Sequence, residues 1–182
     1  MNRALGSILA AAALCGPAGV LAQGSAGGSQ IKRGEYLVTF GGCHDCHTPL
    51  VMGPNGPEPD MKRALSGHPQ DFAIKAPATV AEPWMGAMTP TLTAWSGPWG
   101  VSFTANLTPD PETGVLRDFT EQQFIQTMRT GRHQGQGRQI LPPMPWQNVG
   151  QLTDDDLKAV FAYLRQIPAV RNKVPDPIPP AK

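Results

Sequence analysis

Leu157, Val160, Phe161 and Leu164 recur at the i, i+3, i+4, i+7 spacing of a helix with one face on a core. Thr153 is placed to cap this helix, Asp156 is its third residue, and Leu152 before the cap can staple to Leu157. Pro168 marks the stop. The same device occurs upstream. Thr120 caps, Gln123 completes a capping box, Phe119 and Phe124 form the staple, and Gly131 suits the exit. Phe124 and Met128 share the apolar face of this second helix. A third, shorter helix is expected from Ile31 to Phe40. Gly34 sits inside it, at a cost of about 1 kcal/mol against Ala, which points to close approach by another helix. Residues 23–30 (QGSAGGSQ) read as a flexible lead-in, and 171–182, ending VPDPIPPAK, as an extended Pro-rich tail. One domain is expected between them, over residues 31–170.

Residues 48–118 follow no helical or strand period beyond a few positions, and Gly and Pro punctuate them throughout. Such composition can mean disorder. Two features argue otherwise. The stretch carries Trp84, Trp95, Trp99 and Phe103, and between Lys75 and Asp110 the one charge is Glu82. A long, uncharged, aromatic loop is costly to leave in water, so residues 76–109 are expected to wrap an apolar object that is not protein. No internal repeat is visible.

The first 22 residues have the form of an export signal, with Asn2-Arg3 at the start, an apolar stretch from Ile8 to Leu14, and small residues ending at Ala22. The apolar stretch is too short for a bilayer core of about 30 Å at about 1.5 Å per residue. No later segment has the uninterrupted apolar length of a span, so no transmembrane segment is expected in the mature chain. Cys15 lies in the signal after a bulky Leu14, which suits a discarded filler better than a lipid anchor. Loss of residues 1–22 removes Arg3 and no acid, leaving 14 basic and 14 acidic residues. That balance excludes the basic excess of a nucleic-acid binder.

The candidate chemistry sits in "GGCHDCHTP", Gly41 to Pro49. Cys43 and Cys46 could clamp zinc, form a redox disulfide, or tether a haem. A structural zinc site usually wants four ligands in two pairs, and no second Cys pair exists. A thiol–disulfide oxidoreductase places its motif after a strand of an α/β fold, and no run of β-rich residues precedes this one. Cys-x-x-Cys-His is the attachment motif of haem c. Two thiols add across the two porphyrin vinyl groups, and the next residue, His47, then lies under the ring facing the iron. Attachment of this kind is made outside the cytoplasm, in keeping with the export signal. His44, between the thiols, is expected to point outward into solvent.

A six-coordinate iron needs a second axial ligand, and a Met thioether raises the potential. Met128 belongs to a helical core face, and Met52 and Met61 flank a charged turn. Met144 stands in "LPPMPW", where flanking prolines stiffen the loop and the two clear helices pin its ends. It is the leading candidate, with Met85 and Met88 next and a core-filling role as its bland alternative. His133, in the polar and Gly-rich "GRHQGQGR", is a rival ligand.

The helix carrying Gly34, the CHDCH motif, the PPMP loop and the C-terminal helix with Tyr163 resemble the class I c-type cytochromes. "NLTPDPETG", "MRTGRH" and "ILPPMPW" are similar to cytochrome subunits of periplasmic dehydrogenases. The resemblance implies an all-α fold, with helices around one covalent haem c and a long irregular insertion between the attachment motif and the Met loop. It implies packing of Gly34 against Phe161 or Tyr163. It makes Trp99, Asn106, Thr108, Arg132 and Arg138 candidates to hold the haem propionates or pack on the haem. The function implied is single-electron transfer in the periplasm, from a dehydrogenase to an oxidase or another cytochrome, without a catalytic residue. The alternative is a haem enzyme or gas sensor with an open sixth position, in which His133 with Arg132 or Arg138 would serve as the distal group. The chain carries one attachment motif where many dehydrogenase cytochromes carry two or three.

Overall fold

The computed structural model describes residues 22–180, with side chains from residue 27 onward. The expected export signal, with Cys15, lies outside the described residues except for Ala22. Among the described residues five α-helices form: α1 (Ala22–Phe40), α2 (Cys43–His47), α3 (Glu121–Thr130), α4 (Trp146–Val149) and α5 (Asp154–Leu164). The two clear sequence signals hold in detail. Thr120 and Gln123 make both bonds of a capping box, and Gly131 ends α3 in a left-handed conformation. The Thr153 side chain accepts from the Asp156 N–H at the start of α5.

The packed centre lies where α1 and α3 meet α5. Leu37 and Val38 of α1, Phe124, Ile125 and Met128 of α3, and Leu157, Val160 and Leu164 of α5 are all buried in one cluster. Gly34 is the contact point of α1 with α5. A Cβ there would collide with the Ala159 carbonyl and the Tyr163 Cβ. Of the two aromatic partners expected for Gly34, the structure therefore selects Tyr163. An ion pair at 2.8 Å, Arg33 to Asp156, joins the same helices at the surface.

Two expectations are corrected, and the Pro-rich tail gains partners that the pattern did not show. Residues 23–30 are helical, as the first turns of α1. No proline interrupts this run, and the packed half of α1 supplies the nucleus from which the helix extends, against a cost of about 1 kcal/mol for each of Gly24, Gly27 and Gly28. The tail 171–180 is docked. Asn172 is buried, and Ile178 exchanges two backbone hydrogen bonds with Val101. The larger correction concerns fold class, because the chain is mixed α and β. Strands β1 (Leu50–Gly53) and β2 (Gly56–Pro59) form a hairpin, and β3 (Ala87–Met88), β4 (Ala94–Gly97) and β5 (Gly100–Phe103) form a three-stranded antiparallel sheet. Backbone N–H and C=O groups in a segment this poor in helix signals must pair somewhere. Strands of two to four residues provide those partners without showing a readable period.

Candidate functional site

Cys43, Cys46 and His47 share the single turn of α2. Gly42 enters it with φ of 65°, and Thr48 leaves it in extended conformation. Thr48 is fully buried and organises the turn. Its hydroxyl accepts from the Leu65 N–H at 2.9 Å and meets His44 Nδ1 at 2.9 Å. His44 is thus a lock on the turn rather than the free, solvated side chain expected. The His47 carbonyl accepts from the Gly67 N–H at 2.8 Å. Gly67 has φ of 78°, and a Cβ would meet the backbone of Thr104 and Ala105. This close approach brings the 104–105 backbone against the imidazole.

His47 is buried, and its Nδ1 lies 2.8 Å from the Ala105 carbonyl. A carbonyl can only accept, so Nδ1 carries the proton and Nε2 carries the lone pair. Burial lowers the pKa of the ring and keeps it neutral. Nε2 has no hydrogen-bond partner, and among the described residues no fully buried side-chain nitrogen or oxygen lacks one, so Nε2 faces accessible space. A neutral imidazole oriented through one nitrogen and open at the other has the usual form of a metal-ligating histidine.

The two cysteines are half-buried and free of disulfide. Burial pushes the Cys43 thiol up to about 11 and raises Cys46 as well. A reactive redox cysteine needs the opposite shift, toward thiolate. Among the described residues no three His, Cys, Asp or Glu side chains converge where they could hold a metal ion.

Met144 lies between α3 and α4, partly buried, and packs on the central cluster that Cys43 also borders. Met52, Met61, Met85 and Met88 are each more than 60% exposed, whereas Met128 is buried in the core. His133 sits half-buried in the turn after α3, its pKa pushed down to about 4 by burial and then by Arg138. Cavities of about 290 Å³, bordered by His44 and Tyr163, and about 190 Å³, bordered by Met88 and Trp95, are not lined by Cys46, His47 or Met144. The donor set itself fits a haem: two protonated thiols, a buried imidazole presenting Nε2, and a thioether on the same cluster.

The other candidates divide. Trp99 Nε1 donates to Ser102 Oγ at 3.2 Å. Asn106 Nδ2 donates to the Val170 carbonyl at 2.8 Å, with Thr113 Oγ1 and the Asn172 carbonyl as further acceptors. The Thr108 hydroxyl donates to Asn106 Oδ1 at 2.7 Å. All three are engaged within the protein, and Asn106 and Thr108 fasten the tail. Arg132 and Arg138 are exposed and donate hydrogen bonds to backbone carbonyls of their own turn, with Asp176 and His133 as further neighbours of Arg138, so they keep donors to spare. The sequence reading missed Thr48, which stands in the quoted motif, and the Ala105 carbonyl, which no side chain signals.

The family model described as Cytochrome c matches residues 31–168. The chain is similar to the "Alcohol dehydrogenase (quinone), cytochrome c subunit" of Gluconobacter oxydans (strain 621H), 28% identical over 149 residues, which are 80% of this chain and 24% of that protein. It is similar to the "Gluconate 2-dehydrogenase cytochrome c subunit" of Pantoea cypripedii, 29% identical over 143 residues, 79% of this chain and 24% of that protein. The "Fructose dehydrogenase cytochrome subunit" of Gluconobacter japonicus is 29% identical over 134 residues, 74% of this chain and 20% of that protein. The chain spans about a quarter or less of the length of these curated relatives.

Proposed function

The chain belongs to the cytochrome c family, and from that premise we propose that it is a periplasmic carrier of single electrons, with one haem c tethered by Cys43 and Cys46 and its iron held between His47 and Met144. The haem supplies reversible one-electron exchange. The protein supplies the rest. Ala105 holds the imidazole in the tautomer that presents Nε2. The packed cluster gives Cys43 and Met144 an apolar setting that would keep water from a bound haem iron. No residue transforms a substrate. A dehydrogenase is the proposed electron donor, because the relatives named above are dehydrogenase subunits. An oxidase or another cytochrome is the proposed acceptor. Among the described residues no helix is long and apolar enough to cross a membrane.

The observation that carries the reading is the buried His47 ring with Nδ1 engaged and Nε2 free, one turn from two free thiols. The test uses the full chain matured with haem. Haem should stay with the polypeptide in acidified organic solvent and be lost from the Cys43→Ser, Cys46→Ser double variant. Met144→Ala should remove the weak near-red absorption of Met-ligated ferric haem and lower the potential. Extractable haem in the parent protein would sink the tether. Unchanged absorption and potential in Met144→Ala would sink the ligand assignment.

A further inference from the structure

The Met144 loop is built almost without backbone donors. Pro142, Pro143 and Pro145 have no N–H, so the loop can be fastened chiefly through its carbonyls. Helix α3 holds its two ends. The Ile140 N–H donates to the Gly131 carbonyl at 2.8 Å, and the Trp146 ring lies on Gly131. Beyond Trp146, Arg129 binds the Gly150 carbonyl and pairs with Asp154 at 2.6 Å. The middle of the loop is held from elsewhere. Ser102 of β5 donates its hydroxyl to the Pro142 carbonyl at 2.5 Å, two residues before Met144.

Ser102 is placed for that task. It is buried, and its strand is fixed on both edges, by β4 through the Trp95–Ser102 register and by the tail through Val101 and Ile178. Trp99 Nε1 donates to the Ser102 oxygen at 3.2 Å, which leaves the single hydroxyl proton free to be given away. The Trp95 carbonyl competes for that proton at 3.4 Å, and the shorter contact to Pro142 prevails. We infer that Ser102, oriented by Trp99, is a positioning residue that holds the Met144 loop in its ligating conformation. The inserted sheet thereby acts on the iron's sixth position. This inference rests on the ligation by Met144 proposed above.

The experiment follows the near-red absorption of the ferric, haem-loaded full chain as imidazole is titrated in as a competing ligand, together with its reduction potential and thermal midpoint. Ser102→Ala should weaken Met ligation about tenfold, the size of one buried hydrogen bond, so the absorption is lost at about a tenth of the imidazole concentration. Ser102→Thr, which keeps the hydroxyl, should restore the parent titration. Asn172→Ala, which unties the tail from residues 66–70 rather than from the sheet, should lower the thermal midpoint without moving the titration. If Ser102→Ala fails to fold, Trp99→Phe reads the same effect, with a smaller shift in the same direction. A parent-like titration in Ser102→Ala, or in Trp99→Phe where that variant stands in, would overturn the inference. Met144→Ala separates the two levels. Loss of the absorption in Met144→Ala beside a parent-like Ser102→Ala defeats the positioning role alone, whereas its persistence in Met144→Ala defeats the ligation and the positioning together.

Discussion

The helices and the 48–110 segment are held by different forces. In α1, α3 and α5 the buried side chains are apolar, Leu37, Val38, Phe124, Ile125, Met128, Leu157, Ala159, Val160 and Leu164, with Thr127 as the polar exception. In residues 48–110 the balance reverses. Thr48, Ser66, His68, Thr93, Ser96, Ser102, Asn106, Thr108 and Asp110 are buried, against Leu65, Ala94 and Val101 among the apolar core. Apolar burial is non-directional and tolerates a change of shape at constant volume. A buried hydrogen-bond lattice is directional, and each member needs its partner. The helical side should therefore answer to volume and the loop side to polar pairing.

The strongest way to break that contrast is to remove volume at Leu157, which is fully buried. Leu157→Ala should cost about 3 kcal/mol in denaturant unfolding of the haem-loaded protein, and Leu157→Met less than about 1.5 kcal/mol. Equal costs for the two would remove volume as the controlling variable.

The next effect belongs to Asn172, which ties the tail to the loop side. Its Nδ2 donates to the Ser66 and His68 carbonyls at 2.7 and 2.8 Å, and its Oδ1 accepts from the Gln70 N–H at 2.9 Å. Asn172→Ala should cost about 2 kcal/mol through the unpaired groups it leaves. Asn172→Leu, close in volume, should do no better. Rescue by Leu would mean that packing, not pairing, holds the loop side.

The smallest effect concerns His133, in the turn after α3, with Arg138 as its charged neighbour. Its folded pKa lies near 4, below the ordinary value of 6.5. Between those values the unfolded chain binds a proton that the folded chain refuses. Stability should thus fall as pH drops from 6.5 toward 4 and gain no further loss from this group below that. The thermal midpoint of His133→Gln should fall less over that window than the parent's. Parallel curves would show that His133 is as hydrated folded as unfolded.

What could be read from the residues alone was local. The capping of α3 by Thr120 and Gln123, the cap of α5 at Thr153 and the stripe from Leu157 to Leu164 each depend on neighbours within a few positions, and each is present. Gly34 announced a close helix contact, although which aromatic it would meet was settled only by the packing of α1 on α5. The all-α expectation failed in residues 50–103, where the strands are short and Gly- and Pro-rich and draw their stability from partners across a turn. The protein partners of two candidate donors were hidden for a related reason. Asn106 and Thr108 meet Val170 more than 60 residues away, a pairing without local trace.

Sequence by itself determined the chemistry on offer: two thiols and an imidazole in one turn, a proline-stiffened methionine, and helices with marked ends. These follow from spacing and from each residue's own functional groups. The tertiary structure decided which nitrogen of His47 is free, through the Ala105 carbonyl 58 positions away, and tied the Met144 loop to a sheet the pattern did not reveal. Both outcomes rest on backbone atoms, which every residue carries and which only folding places.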